Sequence, residues 1–258
     1  MTTTPRRIVA FGHSHLGALA AAYATRAART EPRYELVLYQ FLRAERPHIV
    51  HVDKQGWRYH PEIEQELIEL MATCDPEAVV ILLQGEQAAL AGFVAPVRPY
   101  DFIFPSETGY VPQTATEIIP YSVVFEVCKD RFRLIADFLD LLGDSLPRNS
   151  FALSPPPIVG DRKFILDTKG RHSEITHHID QFGLPPTAWR LRQLKVHMMA
   201  LRSIYEERGI RFVDPPAIAS GDDGCLRPEL RSDVFHANAT YGQLLLDQIE
   251  DLLQQSPL

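Results

Sequence analysis

Ile8-Val9-Ala10-Phe11-Gly12-His13-Ser14-His15-Leu16-Gly17 is an apolar run ended by a glycine, then a single serine flanked by two histidines. Four consecutive apolar residues predict a strand covered on both faces, because a half-exposed strand alternates. The Ala-rich stretch that follows, 15–30, predicts a helix. The decapeptide therefore reads as a strand-to-helix turn, and serine is a favoured N-cap of such a helix. In an open α/β sheet this turn lies at the carboxyl end of the strand, where ligands bind and helix amides point outward.

The same alternation extends along the chain. Apolar runs at 34–41, 78–83, 150–154 and 210–214, together with 8–13, predict five short strands. Between and after them, 61–73, 129–143, 187–208 and 239–254 show apolar residues at helical spacing, and Pro61 stands at a favoured first helical position. Strand and helix in turn predict a three-layer α/β/α sandwich on a parallel sheet of about five strands. Two stretches break the rhythm and are read as irregular insertions in one domain spanning 1–258. The first, 92–127, is rich in aromatics, prolines and β-branched residues; the second, 155–186, carries Pro155-Pro156-Pro157 and the histidines 172, 177 and 178. Long irregular segments in a compact domain are often lids or binding loops.

Bulk properties narrow the function. The chain has 258 residues, 45% hydrophobic and 23% charged, with a formal net charge of −7. An acidic balance with only short basic clusters argues against a nucleic-acid partner. Three cysteines without a CxxC pair predict neither a disulfide framework nor a structural zinc, and fit a reducing, cytoplasmic setting. No stretch approaches the ~20 apolar residues of a membrane span.

Ser14 can be read in several ways. A nucleophile elbow of the α/β-hydrolase kind needs G-x-S-x-G, and here Leu16 holds the last glycine place. Metal binding by His13 and His15 is disfavoured, because residues two apart point to opposite sides of a strand and share no helix face. The G-H-x-H ending of metallophosphoesterases comes late in those chains, after D-x-H and G-N-H motifs that are absent here. The far end of the chain offers a base instead. In "LRSDVFHANATYG", Asp233 and His236 stand three residues apart, ahead of Asn238 and the last helical run. A serine hydroxyl needs a base to take its proton, and a carboxylate to hold that base in the right tautomer.

Serine after the first strand and Asp-x-x-His before the last helix together resemble the SGNH (GDSL-type) hydrolase superfamily. The resemblance spans nearly the whole chain, from about Ile8 to the last helix, and rests on a few short motifs. The family's Gly-Asp-Ser reads Gly12-His13-Ser14 here, and its closing motif is matched by Asp233, His236 and Asn238. The resemblance implies a flavodoxin-like strand order and a Ser14–His236–Asp233 triad. It also implies an oxyanion hole from the N–H of Ser14, a glycine after the second strand, and donors after the third. Gly56 is the candidate for the first glycine by position. The third motif departs from Gly-x-Asn-Asp and reads Gln84-Gly85-Glu86-Gln87, similar to the Gln-Gly-Glu variant of carbohydrate O-acetyl esterases. Gly85, with Gln84 or Gln87 in place of the asparagine, would then complete the hole.

The expected activity is a serine ester hydrolase acting through an acyl-enzyme, with neither metal nor organic cofactor, on a small-molecule or sugar ester. Acyl transfer to another alcohol uses the same constellation. A non-catalytic binding or accessory relative is the reading from a different class, suggested by the altered first and third motifs. Phe93, Tyr100, Phe102, Phe104, Tyr110 and Tyr121 are candidates to wall a sugar or an acyl chain. His48 and His51 are candidates to line the cleft, although scattered histidines are more often surface or hydrogen-bonded core residues.

Overall fold

The computed structural model describes residues 6–30, 33–42, 47–52, 56–84, 95–96, 98–111, 117–171 and 173–255. Its strands are β1 (Arg6–Gly12), β2 (Tyr34–Gln40), β3 (Ile49–Val52), β4 (Gly56–Tyr59), β5 (Ala78–Leu82), β6 (Tyr100–Asp101), β7 (Glu117–Ile118), β8 (Ser150–Leu153) and β9 (Arg211–Val213). Its α-helices are α1 (Leu16–Ala27), α2 (Pro61–Cys74), α3 (Tyr121–Arg131), α4 (Arg133–Leu142), α5 (Arg162–Thr168), α6 (Ser173–Phe182), α7 (Thr187–Glu206) and α8 (Ala239–Gln255).

Five strands form one parallel sheet in the order β2-β1-β5-β8-β9. With these five counted in chain order the arrangement is 2-1-3-4-5, the flavodoxin-like order. Residues along each strand alternate between two cores. Ile8 and Ala10 of β1, with Ala78, Val80 and Leu82 of β5, pack on one face with residues of α1 and α8. Val9 and Phe11, with Val79 and Ile81, pack on the other with residues of α2, α4 and α7. This is why the strands read as unbroken apolar runs: both parities are buried.

Two glycines fix the geometry around the end of β1. A Cβ on Gly12 would lie 2.5 Å from the Leu82 carbonyl oxygen, so β1 and β5 draw together only without a side chain there. A Cβ on Gly242 of α8 would lie 2.0 Å from the Ala18 carbonyl oxygen of α1. The two helices thus meet backbone to backbone. Arg26 of α1 bonds Gln243, Asp247 and Glu250 of α8, and Gln243 returns an amide N–H to Ala22 O at 2.7 Å.

The irregular stretches need correction. The segment 92–127, expected to lack a helix, contains the start of α3, and Phe132 (φ −95°, ψ 9°) separates α3 from α4 within the single helix expected at 129–143. Tyr121, Val123, Val124, Phe125 and Val127 give α3 a composition that favours strand; Pro120 at its N-cap and packing on α7 make it a helix. The segment 155–186 holds α5 and α6, the first capped by the Asp161 carboxylate on Phe164 N at 3.0 Å. The stretch after β2, expected as loop, forms the antiparallel β3–β4 hairpin.

Candidate active site

Ser14 sits between the end of β1 and the start of α1. Phe41 N donates to Gly12 O at 2.9 Å, and Leu16 N and Gly17 N donate to His13 O and Ser14 O at 3.0 Å each. The N–H groups of Ser14 and His15 donate to nothing among the described residues. They are the free amides at the head of a twelve-residue helix, where negative charge is stabilised.

The second half of the site is the turn before α8. Arg231 and Ala237 form an antiparallel bridge, and Ser232 N donates to His236 O at 2.8 Å. Inside that turn Asp233 Oδ1 accepts the backbone N–H groups of Phe235 and His236, both at 2.8 Å. Asp233 Oδ2 lies 2.8 Å from His236 Nδ1. His236 Nε2 in turn lies 2.8 Å from Ser14 Oγ. Asn238 locks the turn to the helix. Its side-chain oxygen caps α8 at Thr240 N (2.9 Å), and its amide donates to Glu229 O (2.8 Å). Burial pushes the Asp233 carboxyl up, but the His236 side chain and the two backbone donors outweigh it and hold the group well below the usual carboxylate range. Asp233 therefore stays ionised, and the Nδ1 proton facing it leaves Nε2 as the acceptor toward serine.

The flanking histidines diverge, as their spacing requires. His13 turns toward the core on the α2, α4 and α7 side of the sheet, with its ring 5.4 Å from Phe41, 5.2 Å from His48 and 5.6 Å from Tyr59. Burial, then the neighbouring His48 and His15, brings its pKa down to about 3. His15 instead faces His236, ring centroids 5.2 Å apart, and its pKa is also down to about 3, through burial first and His236 second. Both rings are neutral near pH 7. His48 reaches the neighbourhood through His13, whereas His51 lies farther along the hairpin against the exposed Trp57.

The oxyanion candidates divide. Gln84 is buried at the end of β5 and donates an amide N–H to Leu153 O of β8 at 3.0 Å, so one of its donors links two strand ends. Gly56 lies in the hairpin after β2, as its position in the sequence suggests, with Val52 opposite it. Gly85 and Gln87 lie outside the described residues, as do Phe93 and His172. The expected aromatic wall is corrected: Phe102 and Phe104 are buried, and together with Tyr110 they surround the Arg192 guanidinium at 5.2, 5.2 and 3.9 Å. Arg192 in turn meets Asp101 and Glu107, which makes this cluster an anchor for the segment on α7. Gly242 was not singled out from sequence. A glycine inside a helix of otherwise good formers costs about 1 kcal/mol against alanine, and that cost points to close packing.

No protein-family model matches the chain, and no curated protein sequence does. Solved structures are similar to it. The periplasmic domain of a lipopolysaccharide acetyltransferase from Salmonella ser. Paratyphi A is similar with a TM-score of 0.55 and 14% identity, over 98% of this chain and 85% of that one. A GDSL-like lipase from Bacteroides thetaiotaomicron has a TM-score of 0.43 and 12% identity, over 97% and 88% of the two chains. The M. smegmatis aryl esterase has a TM-score of 0.43 and 14% identity, over 96% and 99%. The likeness to the acetyltransferase domain shows a common fold.

Proposed function

We propose that the chain is a serine acyl-ester enzyme, a hydrolase of O-acyl groups on a sugar or other polar alcohol, with Ser14 as nucleophile, His236 as base and Asp233 as its orienting carboxylate. The observation that carries the reading is the unbroken line Asp233 Oδ2–His236–Ser14 Oγ, with 2.8 Å at each end, joining residues 222 apart in sequence. The serine's own free N–H, at the head of α1, supports the same reading.

In the proposed reaction Ser14 Oγ bonds to the ester carbonyl carbon while its proton passes to His236 Nε2. Asp233 stabilises the imidazolium, and the Ser14 N–H meets the oxyanion, with further donors from the segment continuing beyond Gln84, where Gly85 and Gln87 stand. As the tetrahedral species collapses, the carbon–oxygen bond to the alcohol breaks and that alcohol leaves with the proton from His236. Water then repeats the sequence on the acyl-serine and releases the acid. A second alcohol in place of water gives acyl transfer, the activity named for the Salmonella protein.

The test is labelling with a fluorophosphonate and turnover of p-nitrophenyl acetate, comparing the native chain with Ser14→Ala. Labelling and turnover that vanish in Ser14→Ala are expected. A native chain that is folded yet neither labelled nor active would leave the binding-protein reading in its place.

A further inference from the structure

His13 and His15 replace residues on either side of the serine, and only one of them touches the proposed base. His15 is the N-cap residue of α1, yet its side chain makes no capping hydrogen bond. Its ring instead lies 5.2 Å from that of His236 with the planes inclined at 48°, a geometry in which aromatic rings attract. His236 is held at its two nitrogens, Nδ1 by Asp233 and Nε2 by Ser14, and the Phe235 ring stands edge-on to it at a more distant 6.3 Å. Those bonds fix two points, and both lie in the ring plane. With the Cβ–Cγ bond they define its plane, but in-plane hydrogen bonds resist small side-chain torsions that carry the ring out of that plane only weakly. A group packed against the ring resists such motion directly.

We propose that His15 is a positioning residue: its ring braces the imidazole of His236 and holds Nε2 on Ser14 Oγ. The proposal rests on the reading of Ser14 and His236 as nucleophile and base. The charged and titratable groups facing His15 are His236 and Asp233 from the turn before α8, and His13 from the end of β1. Burial first, and the neighbouring His236 second, keep the His15 imidazole neutral near pH 7. A neutral ring can accept a neighbouring imidazolium against it, as other aromatic rings accept cations. A protonated one would oppose it.

The experiment compares the native chain with His15→Leu, His15→Phe and His15→Lys. Turnover of p-nitrophenyl acetate is followed from pH 5 to 9, and the His236 ring nitrogens are titrated by NMR. His15→Leu removes the flat brace and is expected to lower kcat about tenfold to a hundredfold, the range for a loosened catalytic geometry, with KM within about twofold. His15→Phe keeps a ring there and is expected to restore most of the loss. His15→Lys places a fixed cation beside the base and is expected to shift the His236 titration down by about one unit or more. The nitrogen titration needs no substrate. If the native chain proves inactive, the proposed function fails while the bracing contact is still judged by the lysine variant. A His236 titration unmoved in His15→Lys, or kcat in His15→Leu equal to native, overturns the proposal. If His15→Leu does not fold, the phenylalanine and lysine variants decide it.

Discussion

Gly242→Ala asks whether the site is assembled by the contact of two helices. The added Cβ would stand 2.0 Å from the Ala18 carbonyl oxygen, 2.6 Å from the Ala18 carbonyl carbon and 2.8 Å from Ala22 Cβ. Two of these atoms belong to backbone, so no rotamer change relieves the clash. Comfortable contact begins near 3.4 Å, so α1 and α8 must part by more than about 1 Å. Overpacking of this kind costs about 1–3 kcal/mol. Replacing a mid-helix glycine with alanine returns about 1 kcal/mol through propensity, so a net loss of up to about 2 kcal/mol is expected.

The larger effect falls on the site. Ala18 is four residues past Ser14, and Gly242 six past His236, so the displaced contact lies close behind both groups. If even half of the shift reaches them, the 2.8 Å Ser14–His236 bond stretches beyond hydrogen-bonding range. A displacement near 1 Å costs about 10²-fold in turnover. The assays are urea unfolding and the rate of fluorophosphonate labelling, with Gly17→Ala as control. Gly17 is also helical, but an added Cβ meets nothing within 4 Å, so that variant is expected to match or slightly exceed native stability. A Gly242→Ala protein as stable as Gly17→Ala, and labelled at the native rate, would refute the reasoning.

Three further outcomes are expected. Asp233→Asn frees His236 to adopt the wrong tautomer and lowers turnover about 10³–10⁴-fold, with the far-ultraviolet spectrum unchanged; a loss below tenfold would remove Asp233 from the triad. Burial, the leading cause in each case, depresses His13 and His15 to about 3 and His197 to about 4, whereas an unfolded histidine titrates near 6.5. Unfolding therefore takes up protons between these limits, so stability is full above about pH 6.5 and falls as pH drops toward 4, by about 1.4 kcal/mol per unit for each histidine. Urea midpoints at pH 8, 6.5 and 5 measure this, and a midpoint flat down to pH 5 would contradict it; Asp233 adds its own loss only below about pH 4. Arg192→Met removes the charge partner of the Asp101 carboxylate, whose side chain is 6% exposed. Among the described residues that carboxylate keeps only the Phe102 N–H and the Tyr110 hydroxyl. The substitution should cost about 3 kcal/mol by thermal unfolding, and a change under about 0.5 kcal/mol would count against the anchor.

The parts of this molecule legible in sequence are those that local chemistry specifies. β1 and β5 announce themselves because both parities face apolar cores, and the turn at Ser14 because a glycine and an alanine-rich run bracket it. The expected cap is corrected, since the N-cap is His15 and the Ser14 hydroxyl meets His236 instead. What stayed hidden depends on partners far along the chain. Nothing local in Tyr121-Ser122-Val123-Val124-Phe125 favours helix over strand, and packing on α7 decides it. Gln84 reads from sequence as a side chain with both amide hydrogens to offer, and only β5 lying beside β8 shows that one of them goes to Leu153 O at 3.0 Å. Phe102, Phe104 and Tyr110 looked like the wall of a cleft because sequence does not reveal Arg192, which gathers them.

The turn at Asp233 shows why so little sequence can define a site so far from its partner. Asp233 Oδ1 holds the turn through two backbone amides while Oδ2 holds the imidazole, so one carboxylate sets both the loop and the base it presents. Asn238 then welds that turn to α8, and α8 to α1 is a backbone contact with no side chain to adjust. The turn that carries Asp233 and His236 is itself closed by hydrogen bonds and tied to α8 through Asn238. Position is therefore transmitted from Ser14 to His236 through two helices rather than through the 222 residues of chain between them. A residue anywhere along α1 and α8 that alters their spacing acts on the proton transfer, and insertions in the intervening chain that leave the helix contact intact do not.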